Sequence, residues 1–153
     1  MASPAMEKVY YYEDFEVGRS FTTPRRTITE ADIINFAGVS GDFHALHTDA
    51  IYAENTMFGE RVAHGLLTIS IVTGLWMRLG IFEENLIAFY GVEGLRWIRP
   101  VKAGDTIWAK LTVGTKRDKD KSSGVIVFKN EVYKQDGTLV AVFDALLLIK
   151  KKV

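Results

Sequence analysis

The chain has 153 residues, 48% hydrophobic and 25% charged, which fits one globular domain over residues 1–153 with enough apolar material for a real core. Nineteen basic residues balance nineteen acidic ones, so no global field draws nucleic acid or an anionic membrane, and small ligands or protein partners are expected instead. Cysteine is absent, which excludes disulfides, thiolate nucleophiles and zinc–thiolate sites and fits a reducing cytoplasm. The opening stretch, MASPAMEKVYYYEDFEVG, has no apolar run of signal-peptide length behind a basic start, so secretion is not expected.

A strand is expected near GRSFTTPRRTIT. TEADIINFAG then predicts a short amphipathic helix, with Thr29 as N-cap, Glu30 and Asp32 in the first turn, Ile33, Phe36 and Ala37 on one face, and Gly38 as the stop. DAIYAENTMFG predicts another short helix ending near Gly59. Residues 62–80, VAHGLLTISIVTGLWMRLG, are apolar nearly all the way round, the pattern of a helix buried on every side. A membrane span is the competing reading, but the segment is barely long enough and carries His64, Thr68, Ser70, Thr73 and Arg78, so it reads as a core helix. From Leu86 onward the chain reads as strands, with alternation in IWAKLTV and VIVFKNEVY and a hairpin signal at Asp136–Gly137. The layout is α+β: a curled antiparallel sheet wrapped round one long central helix.

Residues 40–49, SGDFHALHTD, hold two of the three histidines and two aspartates. Asp42 and His47 stand five apart, and Gly41 lets the backbone turn close to a ligand. Carboxylate and imidazole differ by about two to three pKa units, so near neutrality one holds a water while the other exchanges its proton. The same residues also compose an ordinary polar loop whose backbone needs partners, and spacing does not separate the two readings. A divalent ion on His44, His47 and Asp49 is a third reading, but HxxH without an anchored third ligand is a weak signal, and no metal is expected. In AHGLL, His64 and Gly65 fall at a helix N-terminus, where free N–H groups and the helix dipole favour negative charge and a glycine lets a carbonyl approach. That describes an oxyanion hole. Close packing at Gly65 and a boundary role for His64 account for the same residues.

FAGVSGDFHALHTDAIYA, RVAHGLLTISIVTGL and LRWIRPVKAGDTI, in that order and spacing, resemble the MaoC-like (R)-specific enoyl-CoA hydratases of the hot dog fold, and the likeness runs from about Tyr11 to the C-terminus. The resemblance implies that the family signature, roughly GDxNPLHxD, puts its catalytic aspartate and histidine on Asp42 and His47, its oxyanion donor on the Gly65 amide, and its supporting hydroxyl on Thr73. It implies reversible syn addition of water to a 2-enoyl-CoA, giving an (R)-3-hydroxyacyl-CoA, without metal or redox cofactor, in a homodimer or higher homo-oligomer with the site where subunits meet. Which of Asp42 and His47 is the base stays open.

The chain departs from the signature at His44-Ala45, where the family has Asn-Pro. Either the turn is preserved, or His44 reads a polar group on a branched or dicarboxylic acyl chain. Arg96, Arg99 and Lys102 can meet CoA phosphates, or protect a strand edge. KRDKDK, residues 116–121, and the lysines at 150–152 read as a solvated hairpin tip and a solvated strand end. Trp76, Phe82, Phe89 and Tyr90 belong to the core or to an acyl tunnel. An acyl-CoA thioesterase and a noncatalytic acyl-binding protein are the alternatives to a hydratase.

Overall fold

The structure, a computed structural model, describes residues 9–152, so the first eight residues of the stretch read for a signal peptide lie outside it. Short strands β1 (Ser20–Thr22) and β2 (Arg26–Thr27) lead into helix α1 (Glu30–Ser40). Two short helices, α2 (Ala45–Thr48) and α3 (Ala50–Glu54), precede the central helix α4 (Gly65–Met77). Four long strands follow: β3 (Leu86–Trp97), β4 (Thr106–Asp118), β5 (Ser123–Lys134) and β6 (Leu139–Lys150). They pair antiparallel in the order β1-β4-β5-β6-β3, with β2 also on β4.

The α1 cap is the expected one: Thr29 Oγ1 accepts from Asp32 N at 3.1 Å, and Thr29 N donates back to Asp32 Oδ2 at 2.8 Å. The helix nevertheless runs through Gly38 and stops at Gly41. Gly41 is the residue with a left-handed φ, 76°, and its N–H closes the helix on Ala37 O at 2.8 Å. The β5–β6 hairpin falls where Asp136–Gly137 put it, with Gly137 at φ 83° and Lys134 N donating to Thr138 O at 3.0 Å.

Alternate residues of β4, Ile107, Ala109, Leu111 and Val113, are buried, together with Ile126 and Phe128 of β5 and Ala145, Leu147 and Ile149 of β6. Against this layer α4 packs Leu67, Val72, Leu75 and Trp76. The Trp76 indole N–H donates to Asn130 Oδ1 at 2.9 Å, so a buried polar pair sets the helix on β5.

The expected burial of α4 on every side does not hold. Leu66 and Met77 are 59% and 42% exposed, because the sheet of this chain covers one side of the helix and leaves the opposite face open. The helix is also shorter than expected, since residues 62–64 lead into it extended, with Ala63 N bonded to Val101 O at 2.6 Å. Trp76 and Phe82 are core residues, whereas Phe89 and Tyr90 are exposed on edge strand β3. Lys116 is not part of a solvated tip. Strand β4 continues to Asp118, and Lys116 Nζ lies 4.3 Å from the Tyr12 ring centre and donates to Tyr12 O and Phe15 O at 2.6 and 2.9 Å. Burial lowers its pKa. No helix among the described residues is long and apolar enough to cross a membrane.

Candidate active site

The turn after α1 builds itself locally. Ser40 Oγ accepts from Asp42 N at 3.1 Å, and Asp42 Oδ1 accepts from His44 N at 3.1 Å. His44 Nδ1 then accepts from Leu46 N at 3.1 Å, capping α2, and Asp49 Oδ1 accepts from Tyr52 N at 3.0 Å, capping α3. Two residues of the HxxH reading are thereby occupied as helix caps. His47 rides on the one turn of α2, where Nδ1 bonds Val62 O at 2.7 Å. A carbonyl oxygen can only accept, so Nδ1 carries the proton and Nε2 keeps its lone pair.

His64, at the N-cap of α4, is 3% exposed. Its Nε2–H donates to Asp42 O at 2.9 Å, and its ring stacks on His47 with centroids 3.8 Å apart and planes inclined by 26°. Nδ1 of His64 is buried without a hydrogen-bond partner among the described residues. One ligating atom from each of Asp42, His47 and His64 lies within 4.8 Å of the others. That grouping does not fit an ion, because the lone pairs of two stacked imidazoles lie in nearly parallel planes and do not converge on one point at bonding distance. The His47 pKa is lowered below its ordinary value of 6.5, first by burial and then by the neighbouring His64, while the Val62 carbonyl and Asp42 work in the opposite direction.

Gly65 opens α4, so its N–H has no intrahelical acceptor and lies at the positive end of the helix dipole. A cavity of about 410 Å³ joins these groups, lined by Asp42, His47, His64, Gly65, Trp97 and Arg99 among others. Its walls are otherwise mainly apolar, including Leu46, Val62, Ile98 and Val140. The Trp97 indole lies against Gly65: a Cβ there would be 2.5 Å from both Cε2 and Nε1.

Of the residues singled out in the sequence, Asp42, His47, His64 and Gly65 meet at this cavity. Within this chain His44, Thr73 and Arg96 do not line it. Thr73 is eight residues further along α4, about 12 Å at 1.5 Å per residue, and its hydroxyl donates to Ser70 O at 2.7 Å. Arg96 is exposed and its guanidinium donates to Leu95 O at 2.8 Å. Lys102 pairs with Glu60. Arg99 does reach the lining. Trp97 escapes a reading of LRWIRPV that weighs only its charges; an indole at the end of a strand, next to the arginines, is the available signal.

A curled antiparallel sheet holding a central helix defines a hot dog domain, and in this one an aspartate and a histidine are gathered at that helix's N-terminus. Residues 14–134 match the family model of the MaoC-like domain, and the chain belongs to that family. It is 50% identical over 113 residues to protein MaoC of Klebsiella aerogenes, covering 74% of this chain but 33% of that protein, so it spans about a third of that relative's length. An (R)-specific enoyl-CoA hydratase of Rhodospirillum rubrum is 36% identical over 105 residues, covering 69% of this chain and 70% of the relative. A solved structure of a monoamine oxidase regulatory protein from Archaeoglobus superposes with a TM-score of 0.88 at 39% identity, over 95% of this chain and 97% of that one.

Proposed function

We propose that this chain is a single-domain (R)-specific enoyl-CoA hydratase, working reversibly as a 3-hydroxyacyl-CoA dehydratase in the cytoplasm. The observation that carries the proposal is that Asp42, His47 and Gly65 line one mainly apolar cavity, with His47 bonded through Nδ1 to Val62 O and Gly65 at the head of α4. Hydration needs a water at the β-carbon, a proton at the α-carbon, and a donor for the charge that develops on the thioester oxygen. Asp42 accepts one hydrogen bond from the water and orients it, while His47 Nε2 takes the other proton as the oxygen bonds to the β-carbon. The alkene electron pair moves into the thioester, whose oxygen the Gly65 N–H receives. The imidazolium then returns its proton to the α-carbon on the same face, which gives syn addition. No further co-reactant enters the balance.

The test is incubation with a panel of trans-2-enoyl-CoAs while following loss of enoyl absorbance, release of free thiol and the configuration of the product. The expected result is loss of enoyl absorbance, no thiol, and an (R)-3-hydroxyacyl-CoA. Thiol release would instead mark a thioesterase, and no turnover of any chain would leave an acyl-binding protein.

His44 acts as a cap in this reading, and asparagine caps a helix as well. His44→Asn is therefore expected to keep the relative kcat/KM for straight-chain, branched and dicarboxylic enoyl-CoAs within about twofold of wild type. A selective loss on dicarboxylic substrates would place the imidazole at the acyl chain after all.

Assembly into at least a homodimer is part of the proposal. Strand β3 is a twelve-residue edge that exposes Ile87, Phe89, Tyr90 and Val92, and the open face of α4 carries Leu66 and Met77. A long apolar edge without a covering element pairs with another strand. Light scattering at micromolar concentration is expected to give at least twice the chain mass; an active monomer would contradict it.

A further inference from the structure

We infer that His64 is a positioning residue for both halves of the Asp42/His47 pair, holding the Asp42 turn by a hydrogen bond and the His47 ring by stacking. Among the described residues, 41–44 make hydrogen bonds within residues 37–48, and the bond from His64 Nε2 to Asp42 O, at 2.9 Å across 22 residues, alone reaches beyond them. Asp42 is otherwise exposed on a short turn. His64 is anchored from the opposite side, since its own carbonyl accepts from Thr68 N at 3.3 Å at the head of α4 and Phe36 of α1 packs on its ring with centroids 5.0 Å apart. The same ring covers a face of His47, whose edge is pinned to Val62 O. One side chain thus transmits the position of the central helix to both groups.

Packing alone does not account for an imidazole here. His64 is 3% exposed and leaves Nδ1 buried without a partner among the described residues, a cost that phenylalanine would avoid while filling the same space. What histidine adds is the Nε2–H. A glutamine amide can present a donor near that point without the ring, whereas phenylalanine keeps a ring without the donor.

The covering ring also bears on proton exchange at His47. The groups facing it are Asp42 on the turn, His44 at the start of α2 and His64 at the start of α4, with Arg99 on the same cavity beyond β3. Burial and His64 both lower its pKa, so removing the ring lets water in and moves that pKa back up toward its ordinary value.

The kinetic arm of the test rests on the proposed hydration; the spectroscopic arm does not. His64→Phe is expected to lower kcat by about 10- to 100-fold with KM within about threefold, since small displacements of reacting groups act on kcat. His64→Ala is expected to lose at least as much and to shift the acid limb of kcat/KM to higher pH, and His64→Gln to recover most of the kcat that His64→Ala loses. Imidazole nitrogen NMR of the unliganded protein is expected to show His47 protonated on Nδ1 and titrating at higher pH in His64→Ala, and the amides of residues 41–44 exchanging faster in His64→Phe. Wild-type kcat in His64→Phe, or an unchanged loop and His47 titration in both variants, would overturn the inference. A wild type that hydrates no enoyl-CoA would refute the proposed reaction, and the NMR comparison would still decide the role of His64.

Discussion

Asp42→Asn and His47→Gln are expected to fold as the wild type does and to lose hydration by about 10³-fold each, within the usual range for removing a general acid–base group. The carboxamide that replaces the Asp42 carboxylate keeps an oxygen for the His44 amide, and the carbonyl of residue 42 that His64 holds belongs to the main chain. The turn therefore survives while the water loses its acceptor. In His47→Gln the lone pair that takes the proton is gone. The checks are melting midpoints within about 3 °C of wild type and kcat/KM on the best enoyl-CoA of the panel. Near wild-type turnover in either variant would remove that residue from the chemistry. The wild-type pH profile follows from the lowered His47 pKa: the neutral base persists to lower pH than a free imidazole allows, so the acid limb lies below 6.5. Stability has the corresponding sign. In that window the unfolded chain binds the proton more readily than the folded one, so stability falls as pH drops from about 6.5 and levels off below the folded pKa.

The turn at Gly41 was legible and the rest of the segment around Asp42 and His47 follows rules that are local, although helix α2 and the His44 and Asp49 caps were not read from them. Polar side chains two residues from the amides they accept from, a glycine able to take positive φ and caps for two short helices are all sequence-neighbour relations. The choice between Gly38 and Gly41 as the stop of α1 was not legible, because both are glycines after an apolar stripe and only the fold shows which one is left-handed. The stacking of His64 on His47 and its bond to Asp42 join segments 17 and 22 residues apart, and no periodicity registers that. Lys116 shows the same limit: a lysine in a run of charges was indistinguishable from solvated neighbours until Tyr12 and Phe15 were placed beside it. The open side of α4 has another origin. Apolar residues all round a helix state that every face wants cover, and they do not state which face the sheet of this chain leaves open.

Gly65→Ala is expected to lower kcat/KM for hydration by about 10²- to 10³-fold, the usual effect of disabling one oxyanion donor, while leaving the fold intact. Alanine is the better helix former by about 1 kcal/mol, and residue 65 opens α4 without a positive φ, so the backbone accepts it. The side chain does not fit the site as it stands. Its Cβ would lie 2.5 Å from Trp97 Cε2 and Nε1 and 3.0 Å from Cζ2, inside van der Waals contact, so the indole must move. Trp97 is 50% exposed, which lets the indole swing at small cost in stability, and in the proposed reaction the displaced ring obstructs the side of the cavity by which a thioester reaches the Gly65 amide. Adding Trp97→Ala to Gly65→Ala removes the collision, and the double variant is expected to recover at least about tenfold of the lost kcat/KM, a coupling of roughly 1.4 kcal/mol between adjacent side chains. The measurements are the thermal midpoint of each variant and kcat/KM for the two singles and the double. A Gly65→Ala protein with wild-type kcat/KM would show that the carbonyl does not approach the head of α4. A double variant no better than the single would place the damage in the methyl group itself, standing in the carbonyl's path, rather than in the displaced indole.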